Sequence, residues 1–165
     1  MTGDGDALRK RMLFDAWMAE HGAFSMQLAQ QGEAIHRRTV LARLTSLAGR
    51  QKAPEYVYVL TERRPQEVTP AYVGKTRSPV TRWSQHLAGL AAGEGNYARW
   101  RQRFLREGHE TVRFDLELLV VGETQVQFPP LPGFPSTIGA VEYQLVGLAA
   151  DAYPLRLLNH EGQAR

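Results

Sequence analysis

Five consecutive residues, Tyr56-Val57-Tyr58-Val59-Leu60, constrain the fold of this chain more than any other stretch. The run is apolar, rich in aromatic and β-branched side chains, and too short for a buried helix. Pro54 precedes it, so it reads as a strand buried on both faces. Residues 62–70 are charged and hold two prolines, which predicts a turn or loop. Ala71 to Gly74 follows as a short second strand, and the spacing between the two suits an antiparallel pair.

The helices around this pair announce their own ends. Ser78-Pro79 is a helix start, with serine at the N-cap and proline at the first helical position. Val80, Trp83, Leu87 and Leu90 then form one stripe facing the sheet. Arg82 and His86, one turn apart, lie together beside it. Asn96 caps a further predicted helix to Glu107, where Tyr97, Trp100 and Phe104 are interleaved with Arg99, Arg101, Arg103 and Arg106. Val112 to Val121 reads as a third strand. Residues 128–135 hold four prolines and are predicted to be an extended loop, followed by a helix from Thr137 to Ala150 and a short tail that turns at Pro154.

Upstream, residues 7–48 read as helical. Leu8, Met12, Leu13, Trp17 and Met18 share one spacing, with a stop at Gly22, and Ile35 to Ala48 carries another. Ser25 to Gln31 is read as a short helix between them. A helix-turn-helix with residues 33–44 as reader is a second reading, which Gly32 fits poorly. Residues 1–50 are therefore taken as an N-terminal helical extension, for DNA contact or dimerisation, and residues 51–165 as the main domain.

The 165 residues, 43% hydrophobic, suffice for one core or a core with a small appendage. No stretch approaches the ~20 apolar residues that span a bilayer. Residues 1–6 are acidic and unlike a signal peptide. The absence of cysteine removes disulfides, thiolate metal sites and cysteine nucleophiles, and a cytoplasmic protein is expected. The net charge of +3 is uneven: residues 51–110 carry ten Lys and Arg against six Asp and Glu, while residues 111–165 carry three against six. A polyanion would be drawn to the basic segment, although a solvated basic face explains the same count.

Phosphodiester hydrolysis needs a base for water, cations at the transition state, a metal and help for the leaving oxygen. Glu142 is the one charged side chain between Ile138 and Ala150. Buried and unpaired, it would cost several kcal/mol, so it faces solvent, pairs with a cation or binds a metal, for which Mg²⁺ or Mn²⁺ suits the hard oxygen. Arg82 offers a fork matching phosphate oxygens, or a surface ion pair. His86 donates to phosphate, shuttles a proton or is structural. Tyr58 and Tyr72 are ordinary strand aromatics unless a cation, such as Lys75, lowers a phenol's pKa. Gly74 would let the backbone approach a phosphate. Lys75, Arg77, Arg99 and Arg103 are candidate phosphate contacts.

In order and spacing, Tyr58, Tyr72-Val73-Gly74, Arg82 eight residues past Gly74, and His86 resemble the catalytic core of the GIY-YIG nucleases. The resemblance covers about residues 54–160. It implies an α+β fold, a small three-stranded, mainly antiparallel sheet flanked by helices. It also implies tyrosine-assisted attack of water, Arg82 steadying the charge, Glu142 holding one divalent ion, and Asn159 as the late asparagine. Tyr56 stands where the family has glycine, which leaves open whether Tyr56 or Tyr58 is the active phenol. The expected activity is metal-dependent cleavage of DNA, of restriction type, by a homodimer on a symmetric site, without a membrane or small-molecule cofactor. A non-catalytic nucleic-acid-binding module, and a nuclease for RNA or for damaged or branched DNA, are the competing readings.

Overall fold

The computed structural model describes residues 3–159. Helix α1 (Gly3–Glu20) leads through a short 3-10 turn into strand β1 (Ser25–Ala29), and α2 (Arg37–Gln51) follows. Strands β2 (Tyr56–Arg64) and β3 (Glu67–Thr76) form a hairpin. Helices α3 (Pro79–Ala92) and α4 (Tyr97–Phe104), strand β4 (Asp115–Gly122) and helix α5 (Ile138–Ala152) complete the chain.

The sheet has four strands in the order β1-β4-β2-β3, every neighbouring pair antiparallel. The expected mixed architecture is therefore present, with one strand more than expected. The added strand lies where a short helix was predicted. Ser25–Ala29 pairs with β4, and Asp115 accepts a hydrogen bond from the Gln31 backbone just beyond it. A five-residue segment has no helical stability of its own, so the open edge of β4 decides its conformation. With a strand between α1 and α2, residues 33–44 are not the reader of a helix-turn-helix.

Strand β2 is central, and Tyr56 to Leu60 is buried throughout, as its composition requires. Its alternate residues face two cores. Val57 and Val59 meet α1 and α5 through Phe14, Trp17, Val141 and Leu145. Tyr56, Tyr58 and Leu60 meet α2, α3 and α4 through Leu44, Trp83, Leu87 and Trp100. On α1 the buried side is Phe14 and Trp17, while Leu8 and Met12 stand in solvent. His21, fully buried, takes Trp17 O at Nδ1 and the Gln127 backbone N–H at Nε2, which ties the end of α1 to the loop before α5.

The charged stretch 62–70 is strand rather than loop. Arg64 pairs with Glu67 across a two-residue turn, Pro65-Gln66. Two features make this compatible with Pro70. Strand β3 is the sheet edge, and the register shifts by one residue between Leu60 and Thr61, so that Leu60 faces Tyr72 and Thr61 faces Pro70. Proline is tolerated at edges and bulges because no ladder donor is lost there. Glu62 is wholly buried, held by the Arg103 guanidinium at 2.6 and 2.9 Å and by Arg64 at 3.3 Å.

No helix among the described residues is long and apolar enough to cross a membrane.

Candidate active site

The hairpin register sets the site. Tyr58 lies opposite Gly74, and a β-carbon on Gly74 would fall 2.4 Å from the Tyr58 hydroxyl. Gly74 is therefore the floor under the phenol. The Tyr58 and Tyr72 rings are near-parallel with centroids 6.2 Å apart, Tyr58 fully buried and Tyr72 partly so. Tyr56 points elsewhere: its hydroxyl donates to Ala48 O at the end of α2, 2.9 Å away. Of the two tyrosines of the first strand, Tyr58 is the one that meets Tyr72 and His86.

His86 comes from the next turn of α3 after Arg82 and is 6% exposed. Its ring is stacked on Trp100 at 4.9 Å and lies edge-on to Trp83 at the same distance. Nε2 is 2.9 Å from Tyr58 Oη, and Nδ1 is 2.8 Å from Tyr97 Oη. The hydrogen-bond network assigns the tautomer. Tyr58 is fully buried, and His86 Nε2 is the hydrogen-bond partner of its hydroxyl. A buried hydroxyl needs an acceptor for its own proton, so Tyr58 donates to Nε2. Nδ1 then carries the imidazole proton and donates to Tyr97.

Burial shapes the proton affinities here. Desolvation raises the Tyr58 pKa above that of a free phenol; Tyr72 and Glu142 add to this and Arg82 opposes it. Desolvation, reinforced by the Arg82 charge, lowers His86 to about 4. Tyr58 is thus a neutral phenol and His86 a neutral imidazole at physiological pH.

Glu142, on α5, lies within electrostatic reach of Tyr58, Lys75 and Arg82. Its carboxyl pKa is raised chiefly by burial and by Glu55, against the lowering effect of Lys75 and Arg82. Lys75 alternates to the other side of β3 from Tyr72 and Gly74. Its Nζ lies against the first turn of α5, 3.4 Å from where a Gly139 β-carbon would stand. Its charge acts on Glu142, while the cation acting on the Tyr58 phenol is Arg82.

Three expected site residues have other occupations. Asn159 is buried and turned onto the backbone of β3, accepting from Val73 N at 2.7 Å and donating to Val73 O. It fixes the strand between Tyr72 and Gly74. Arg103 grips Glu62 and caps Arg156 O at 2.9 Å, so it is not a free phosphate contact. Gly74 is the third. Arg77 and Arg99 are exposed, Arg99 on α4 beside Asp151 and Leu155.

Residues 54–124 match the model of the GIY-YIG catalytic domain. This segment is a GIY-YIG catalytic domain. The chain therefore carries a nuclease domain of the GIY-YIG superfamily, and the match holds Tyr58, Tyr72, Arg82 and His86 but ends before Glu142 and Asn159. Comparison with curated proteins and with solved structures gave no match.

The spacing of motifs did not point to Tyr97. The available signal was Gly89, a glycine inside α3, where it costs roughly 1 kcal/mol relative to alanine. Its β-carbon would fall 2.3 Å from the Tyr97 ring. Helix α3 is notched there to admit that ring.

Among the described residues no group of three histidine, cysteine or acidic side chains is arranged to hold a metal. The donors present still fit one class of ion. A single half-buried carboxylate, with Glu55 within electrostatic reach, suits a hard divalent cation that keeps most of its waters and takes substrate oxygens.

Proposed function

We propose that this chain is a divalent-metal-dependent endonuclease that hydrolyses DNA phosphodiester bonds, with a restriction-type, site-specific role. The reading is supported above all by the clustering of Tyr58, Tyr72 and His86, with Arg82 and the Glu142 carboxylate within electrostatic reach. Glu142 would hold Mg²⁺ or Mn²⁺, which supplies charge stabilisation at the leaving 3′-oxygen.

Arg82 is exposed and acts electrostatically on the Tyr58 phenol. A phosphate draws the guanidinium onto its oxygens, where it steadies the developing charge. Tyr58 is too weak an acid to act as phenolate. It instead passes its own proton to His86 Nε2 as it takes one from the attacking water. Tyr72, the partly exposed phenol, lines the approach. Lys75 opposes the burial that raises the Glu142 pKa. Cleavage of both strands at a symmetric sequence would require two copies.

The test is plasmid nicking by purified protein with Mg²⁺ or Mn²⁺, against Glu142→Gln. The expected result is cleavage lost by about 100-fold or more in the variant, the scale of one electrostatic group at a transition state, with unchanged circular dichroism. Cleavage intact in Glu142→Gln removes this site. Salt-dependent DNA binding with no cleavage under any divalent ion makes the chain a binding module. Preferential cutting of RNA or branched DNA in a substrate panel redirects the same chemistry.

A further inference from the structure

Three hydrogen-bonded groups run outward from the active-site surface in one direction. Tyr58 donates to His86 Nε2, and His86 Nδ1 donates to Tyr97 Oη. Tyr58 and His86 are buried, whereas Tyr97 is partly exposed. Tyr97 Oη accepts the Nδ1 proton, so its own proton is directed to solvent. The groups facing His86 are Tyr58 from β2, Tyr72 from β3, Arg82 on its own helix and Tyr97 from α4; none is a carboxylate.

Resting on the nuclease reading above, we propose that Tyr97 is the exit of a proton relay, Tyr58 to His86 to Tyr97 to solvent, and sets the His86 tautomer that the reaction needs. As water oxygen bonds to phosphorus and the bond from phosphorus to the 3′-oxygen breaks, the water proton moves to Tyr58 Oη. The Tyr58 proton moves to His86 Nε2, the Nδ1 proton to Tyr97 Oη, and the Tyr97 proton to bulk water. The departing oxygen takes one proton from solvent, so the protein neither gains nor loses charge. The reverse exchange between turnovers restores Nδ1–H.

The need for an exit follows from the surroundings of His86. An imidazole between two indole rings, with Arg82 as its only neighbouring charge, holds a second proton poorly. A proton arriving at Nε2 must leave from Nδ1, and Tyr97 is the group there. The fit of the Tyr97 ring over Gly89 keeps that hydroxyl in place.

The experiment uses the full chain and Tyr97→Phe, which keeps the ring over Gly89 and removes only the hydroxyl. Nitrogen-15 NMR of labelled histidine, with His86→Gln to assign the signal, reads the tautomer without reference to activity. In the wild type Nε2 should be unprotonated and Nδ1 protonated; in Tyr97→Phe the two forms should mix. Plasmid cleavage with Mg²⁺ should fall by about tenfold in kcat, within the ~10²–10⁴-fold range of general acid-base catalysis, with KM unchanged and an altered pH–rate profile. Wild-type rate and pH profile in Tyr97→Phe overturn the relay and leave the nuclease reading standing, as does a wild-type tautomer with the proton on Nε2. A wild-type protein that cuts no nucleic acid overturns both.

Discussion

At the scale of single residues, small side chains do as much for the site as large ones. Gly74 and Gly89 are the voids into which Tyr58 and Tyr97 fit. Gly74→Ala places a methyl carbon against a ring boxed in by Trp83 and His86, which cannot swing aside. Overpacking of this kind costs about 1–3 kcal/mol. The variant should melt earlier and lose cleavage more than it loses stability, because the displaced atom is the Tyr58 hydroxyl. Thermal denaturation beside nicking assays separates the two. Tyr58, Tyr72, Arg82 and His86 were legible from motif order, since strand alternation and one helical turn bring them together. The hold of Asn159 on Val73 was not legible, because it depends on which backbone the tail meets.

At the scale of elements, two side chains far along the chain hold the hairpin that carries the phenols. Asn159 offers its amide to both backbone groups of Val73, and Leu158 N donates to Ala71 O at 2.7 Å, so the tail covers the outer edge of β3. Asn159→Ala strands those groups at a cost of about 1–3 kcal/mol. Hydrogen exchange should show Val73 losing protection while the β2–β4 ladder keeps its own. Arg103 ties α4 to β2 through Glu62. Arg103→Met leaves that carboxylate buried with only Arg64 nearby, and should destabilise by up to about 3 kcal/mol. Glu62→Leu in the same background should recover most of the loss in urea denaturation. The pair was not legible, since a charged segment with two prolines reads locally as loop; only its neighbours show it to be strand.

For the whole molecule, burial of neutral histidines sets the response to acid. Both His21 and His86 have pKa values lowered by desolvation, His86 to about 4 from 6.5. The unfolded chain takes up these protons before the folded one does, so stability is complete above pH 6.5 and falls as pH drops toward 4. His86 alone accounts for about 3 kcal/mol across that window. Melting temperature measured from pH 7 to pH 4 should decline, with a shallower slope in His86→Gln. The basic bias of residues 51–110 is also reduced by folding. Arg63, Arg64, Arg101 and Arg103 are paired with carboxylates of the chain, which leaves the cations around the active site as the more available ones. Charge counting along a sequence cannot make that distinction, nor could it reveal that Ser25–Ala29 joins the sheet.

The one-residue shift at Leu60 and Thr61 carries a consequence of parity. Counted from the Pro65-Gln66 turn without that shift, Tyr58 would stand opposite Val73. Tyr72 and Gly74 would then belong to the reverse side of the sheet. The shift, which absorbs Ala71, is what keeps both phenols on the same side. The hairpin tip can be trimmed or lengthened symmetrically, one residue per strand, without disturbing the chemistry. Deleting Ala71 alone would make the ladder continuous and keep Tyr58 opposite Gly74, whereas deleting one residue of β2 between Leu60 and the turn would invert the pairing.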